Sequence, residues 1–146
     1  MSTPDHLDPA AIDLMLDEGT TWAVVGLSGD PHRTAFEIAR LLQSRGKRIV
    51  PVHPRFADST GEDDTVLGEK GYATLADIPF AVDVVDVFRR SSDAGTFADQ
   101  AVAIGAKGVW FQLGVVDLAA FERTRAAGVA MVMDTCPAIE LRRRGA

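Results

Sequence analysis

The sequence predicts a single α/β domain in which a parallel sheet of about five strands carries helices on both faces. Three observations carry this reading. Five short apolar runs, TWAVVGL, KRIVPVH, VDVVDVF, GVWFQ and VAMVM, are too brief for helices and are bounded by glycine, proline or charge. Segments with apolar residues at helical spacing alternate with them. The chain has 146 residues, 47% of them hydrophobic, with no internal repeat and no linker-like stretch, which suits one packed core.

Taken in order, residues 8–18 place Ile12, Met15 and Leu16 on one helical face, with Pro9 suited to a first turn and Gly19 to the stop. Residues 1–19 are expected to form a helical extension packed on a domain spanning 20–146. Trp22 to Leu27 is a buried strand. From Thr34 to Arg45, Phe36, Ile38, Ala39, Leu41 and Leu42 keep an apolar side, and Gly46 ends that helix in a left-handed turn. KRIVPVH completes a βαβ unit, whose crossover is right-handed in about 98% of cases. Arg55 to Gly71, with Asp58, Glu62, Asp63 and Asp64, reads as a polar surface loop in preference to a lid. The third strand begins at Val82, and its alternation is read as placing Asp83 and Asp86 on one face, at strand ends or at an edge. Ser91 or Ser92 is expected to cap a helix running to about Ile104. Gly108–Gln112 is the fourth strand, Asp117–Ala127 a helix stopped by Gly128, VAMVM the fifth strand and Pro137–Arg144 a closing helix. The result is doubly wound and Rossmann-like.

Composition excludes several functions. A net charge of −6 leaves no electrostatic footprint for nucleic acid. No apolar run nears the roughly 20 residues that span a bilayer, and the MSTPDHLDP start lacks a leader's basic and apolar regions, so a cytoplasmic protein is expected. One cysteine and three scattered histidines give neither an internal disulfide nor a metal pattern. No serine nucleophile has a supporting triad, and no catalytic residue is assigned. His32 reads as a surface residue, His6 as part of a frayed terminus, and Trp110 and Phe111 as core.

The first turn, GLSGDPHR, is where an anion would bind. Gly26 and Gly29 permit a tight turn and a close approach, Ser28 and Thr34 supply hydroxyls, and Arg33 stands at the positive end of the following helix. No P-loop signature occurs. At the end of the second strand, where NAD sites place a carboxylate, this chain has His53, Pro54 and Arg55. An arginine there favours an adenosine whose ribose carries an extra phosphate, as in NADP or coenzyme A. Gln112 and Gly114 end the fourth strand on the crevice side. Cys136, before Pro137, is placed at a helix N-terminus on that same side, either as simple packing or near the ligand.

The stretches VVGLSGDPHRTAFEIARLL, GKRIVPVHPR, VLGEKGYATLADIP, VDVVDVFRRS, WFQLGV and DTCPAIE together resemble the small CoA-binding proteins, whose fold is similar to the CoA-binding domain of succinyl-CoA ligase α subunits. The resemblance covers about Thr20 to Glu140. It implies that Gly26, Leu27, Ser28 and Arg33 contact phosphates and that Pro54 and Arg55 border the adenosine and its ribose phosphate. It also implies that Phe88, Arg89 and Arg90 contribute from the loop after the third strand. Cys136 would then lie near the thiol of CoA and form a mixed disulfide with it. Two positions depart from the family pattern: His53 replaces the usual asparagine, and Thr135 stands where an arginine commonly precedes the cysteine. No residues are left for the phosphohistidine domain of a ligase, so ligase activity is not expected. The resulting expectation is a non-catalytic carrier or regulatory module for CoA or an acyl-CoA. The alternatives are an NADP-dependent oxidoreductase or NADP-binding module, and a regulatory subunit without nucleotide affinity. A homodimer through exposed strand edges is compatible with the sequence.

Overall fold

The computed structural model describes residues 4–58 and 64–145, so Glu62 and Asp63 of the acidic loop lie outside the described residues. Five parallel strands form the main sheet: β1 (Thr21–Val25), β2 (Arg48–Val52), β5 (Val84–Val87), β6 (Gly108–Phe111) and β7 (Ala130–Val132), in the spatial order β2-β1-β5-β6-β7. The chain moves outward from β1 to β2 and then crosses back to β5. The switch point therefore lies between β1 and β5, which pair in register from Trp22 against Val84 to Val25 against Val87. In sheets of this kind the ligand crevice opens above the carboxyl ends at that point.

Alternate residues on these strands feed two cores. On one face Ala23, Val25, Val85, Val87, Val109 and Phe111 pack against α3 (Ser91–Ala103) and α4 (Leu118–Ala126). On the other, Trp22, Val24, Val84, Trp110 and Val132 meet the N-terminal segment, α2 (Thr34–Ser44) and α5 (Pro137–Arg143). Trp22 and Trp110 lie 5.7 Å apart, ring to ring, and each indole N–H donates to a backbone carbonyl, of Gly19 and Thr135 respectively, at 3.0 Å. Both large rings are therefore buried without an orphaned donor. No described helix is long and apolar enough to cross a membrane.

The N-terminal segment folds as α1 (Pro9–Asp13), whose Asp8 side chain accepts from Ala10 N, and continues to Glu18 as one wider π-type turn. His6 is not frayed: its carbonyl accepts from Met133 N at 3.0 Å, tying the start of the chain to the end of β7. Gly46 and Gly128 take φ of +83° and +82° and stop α2 and α4 in the left-handed turns that glycine permits. Asp117 caps α4, accepting from Ala120 N.

Three further expectations are corrected. The stretch after Arg55 is not plain loop. It holds a 3-10 turn, Pro54–Asp58, and a small antiparallel hairpin, β3 (Thr65–Val66) with β4 (Glu69–Lys70), with Phe56 and Val66 buried beneath. The cap residue of α3 is Arg90 and its side chain makes no capping bond. Ser91 instead holds the β6–α4 loop, with its hydroxyl bonded to Gly114 O and Val116 N. Asp83 and Asp86 do not share a face, because an odd separation of three residues reverses direction in a strand. Asp83 precedes β5 and accepts from the amides of Thr20 and Thr21, whereas Asp86 is fully buried in the central strand.

Candidate functional site

Two adjoining cavities open at the carboxyl ends of the strands. The first, about 300 Å³, lies at the switch point and takes Gly26 and Ser28 from the β1–α2 loop, Arg33 and Thr34 from the start of α2, His53 from the end of β2, and Phe88 and Arg89 from the end of β5. Gly26 is required twice over. Its φ is +102°, and a Cβ would come within 2.7 Å of the Phe88 carbonyl oxygen. The loop therefore lies directly against the end of β5, with Gly26 N donating to Val52 O at 2.8 Å and Phe88 N to Val25 O at 2.9 Å. Arg33 is the N-cap residue of α2, and the helix points its positive end into the opening.

The His53 Nδ1 accepts from the amide of Arg55, two residues on, at 3.1 Å, which is the bond an asparagine side chain makes in an Asx turn. The neutral ring then carries its proton on Nε2, as a single donor. Burial, followed by the nearby Arg89, Arg55 and Arg33, holds this imidazole below the usual histidine range.

The second cavity, about 440 Å³, shares Thr34, Phe88 and Arg89 with the first and continues past Arg90 to an apolar end formed by Leu113 and Val115, with Gln112 and Cys136 in its wall. Cys136 is the N-cap residue of α5 and half-buried. Arg89 and Arg90 both lean on Asp93, Arg90 at 2.8 Å. Asp134, with φ +59°, accepts from Gly114 N at 2.7 Å and holds the rim.

Nine of the sequence-predicted residues thus line one cavity or the other, and four do not: Leu27, Gly29, Pro54 and Arg55. The Leu27 side chain is in the core, so only its backbone can face a ligand. Gly29, φ +101°, sits against Val66 of the hairpin. Arg55 lies behind the loop: its Nε donates to the Ser28 carbonyl, its Nη1 stands 3.8 Å from Asp64, and its guanidinium covers the Phe56 ring at 4.2 Å. Thr135 is buried and donates to Glu140, a local use within the start of α5. Sequence reading missed the pairing of Gln112 with Asp86, whose only signal was an acid inside an apolar strand.

Residues 20–142 match a family model described as "CoA binding domain". The chain is 33% identical over 127 residues, 87% of its length and 89% of the relative's, to "Uncharacterized protein YneT" of Bacillus subtilis (strain 168). Among solved structures it resembles a "hypothetical protein from Pyrococcus horikoshii OT3", with TM-score 0.85 and 31% identity over 98% of this chain and 96% of that one. It also resembles the dinucleotide-forming acetyl-coenzyme A synthetase 1 of Ca. Korarchaeum cryptofilum, with TM-score 0.65 and 25% identity, over 81% of this chain and 26% of that one.

Proposed function

The chain belongs to the family of CoA-binding domains, and on that premise we propose that it binds coenzyme A or an acyl-CoA as a carrier or regulatory module, without chemistry of its own. The observation that carries the reading is the first cavity. In a protein of net charge −6 it is lined by two arginines, a histidine donor and a glycine turn at a helix N-terminus, with no carboxylate among the described lining residues. That is the chemistry of a diphosphate site. The diphosphate would lie against Gly26, Ser28, Arg33 and Thr34, with Arg89 opposite.

The second cavity favours CoA over NADP. A pantetheine arm is long, mostly apolar and ends in sulfur, and it would run from Arg89 toward Val115 with its thiol beside Cys136. A nicotinamide nucleotide would place a hydroxyl-rich ribose and a polar carboxamide ring against that apolar end. Arg90 would stay at the mouth. The adenosine would rest on the His53–Pro54 turn, and Arg55, held by Ser28 and facing Asp64, would exchange that weak exposed ion pair for the ribose phosphate. Proton transfer has little to work with here. The one imidazole in the first cavity has its acceptor nitrogen engaged by Arg55 N.

The test is a thermal-shift panel with CoA, dephospho-CoA, NADP and NAD, since a ligand that binds only the folded state raises Tm by mass action. CoA is expected to give the largest shift and dephospho-CoA a smaller one, with that gap closed in Arg55→Ala. A larger shift with NADP would move the assignment to the nicotinamide reading. No shift with any of the four would leave a regulatory domain without a nucleotide.

A further inference from the structure

Asp86 is a buried acid that the phosphate site does not use. It lies in the middle strand of the sheet, 0% exposed, in register with Val24 and Trp110. Its Oδ1 accepts from Gln112 Nε2, while its Oδ2 is buried with no hydrogen-bond partner among the described residues. Burying a carboxyl with half its capacity unmet is costly, so its one bond is informative. Gln112 is itself 4% exposed and stands in the wall of the apolar cavity, beside Cys136. A glutamine carboxamide has two nearly isosteric ends, and half a turn of its last torsion swaps donor for acceptor. Asp86 engages the nitrogen end through Oδ1, which stays an acceptor when the carboxyl carries its proton on the unpartnered Oδ2. The end left for the cavity is the carbonyl oxygen.

We propose that Asp86, acting through Gln112, makes this cavity select the free thiol of CoA over an acyl thioester. The inference rests on the CoA reading above and narrows it. An S–H group can donate to the Gln112 oxygen. A thioester carbonyl in the same place would set two acceptors against each other, leaving both unpaired in a buried position. The remaining polar groups of this cavity do not compensate: Thr34 and Arg89 are shared with the phosphate cleft, Arg90 is paired with Asp93, and the Cys136 S–H is only a weak donor. Asp86 touches Gln112 and not the ligand, so it is a positioning residue.

Calorimetric Kd values for CoA, acetyl-CoA and S-ethyl-CoA separate polarity from size, because the ethyl thioether matches the acetyl group without its carbonyl. In wild type, CoA is expected to bind most tightly and acetyl-CoA about tenfold more weakly than S-ethyl-CoA. That gap should vanish in Asp86→Leu and in Gln112→Met, the second serving if the first does not fold. It should persist in Asp86→Asn, whose carboxamide oxygen can take the place of Oδ1. The proposal is overturned if acetyl-CoA binds wild type as tightly as the thioether, or if the gap survives in Gln112→Met. A gap lost equally in Asp86→Asn would assign it to packing and overturn it as well. Failure of all three ligands to bind wild type is a distinct result that removes the CoA reading, and this inference with it.

Discussion

Burial lifts the carboxyl of Asp86 to about 8, against the opposing pull of the Gln112 N–H, so the side chain is mainly protonated at neutral pH. The sign of the linkage follows. The folded state holds this proton more tightly than the unfolded chain, whose aspartate titrates near 3.8. The contribution of Asp86 to stability is therefore fully present below pH 3.8 and is lost as pH rises toward about 8, after which a bare charge is buried. Asp86→Asn removes this dependence. Between pH 5 and pH 8 wild type should lose stability relative to the variant by up to about 1.4 kcal/mol per pH unit, levelling off above that range. Urea denaturation of both proteins across pH reads it, and parallel curves would show that Asp86 is not the buried acid described here. The sequence announces an acid in VDVVDVF but not its place, because an acid in an otherwise apolar run reads as readily as a strand end or edge as a buried position. His53 was legible as a residue at the end of the second strand, but its bond to the Arg55 amide was not, because it depends on the turn that follows.

At the scale of elements, the strands and helices were readable because each carries its own period or its own run of apolar residues. The β3–β4 hairpin was not, since strands of two residues have no period to detect. The same holds for the 3-10 turn that sets Phe56 under the hairpin, where Gly71 leaves no room for a Cβ, the ring lying 2.4 Å from that position. The β1–α2 loop was legible from its glycines, and its geometry now gives them unequal weight. Gly26→Ala meets both a left-handed backbone and the Phe88 carbonyl, whereas Gly46→Ala meets only the former, with nothing within 4 Å of its Cβ. Gly26→Ala is expected to cost on the order of 1–3 kcal/mol and to abolish the CoA-induced thermal shift. Gly46→Ala should lose some stability and keep the shift. Equal ligand responses in the two would mean that the loop is a structural turn and no anion site.

For the molecule as a whole, the family match begins at residue 20, where the sequence also places the end of a helical extension packed on the domain. The described part of that segment contributes to one of the two cores. Ala11, Ile12, Met15 and Leu16 are buried against Trp22 and Trp110, and a Cβ at Gly108 would come within 2.5 Å of the Met15 sulfur, so β6 is shaped to receive that side chain. Polar contacts reinforce the seam. Lys47 donates to the carbonyls of Leu16 and Gly19, and Arg144 at the far end of the chain pairs with Asp17 at 2.7 Å. Each large apolar side chain is worth roughly 1.5–3 kcal/mol when buried. Three of them, Ile12, Met15 and Leu16, therefore approach the 5–15 kcal/mol that holds a typical domain together. A chain beginning at Thr20 should accordingly lose its cooperative melting transition at 25 °C, although it keeps every residue that lines the two cavities. Saturating CoA is expected to restore only part of that transition, about 3–4 kcal/mol at a hundred- to a thousandfold excess over Kd. A truncated chain that melts cooperatively near the wild-type Tm would make residues 1–19 an accessory after all, and would leave the second core closed by α2 and α5 alone.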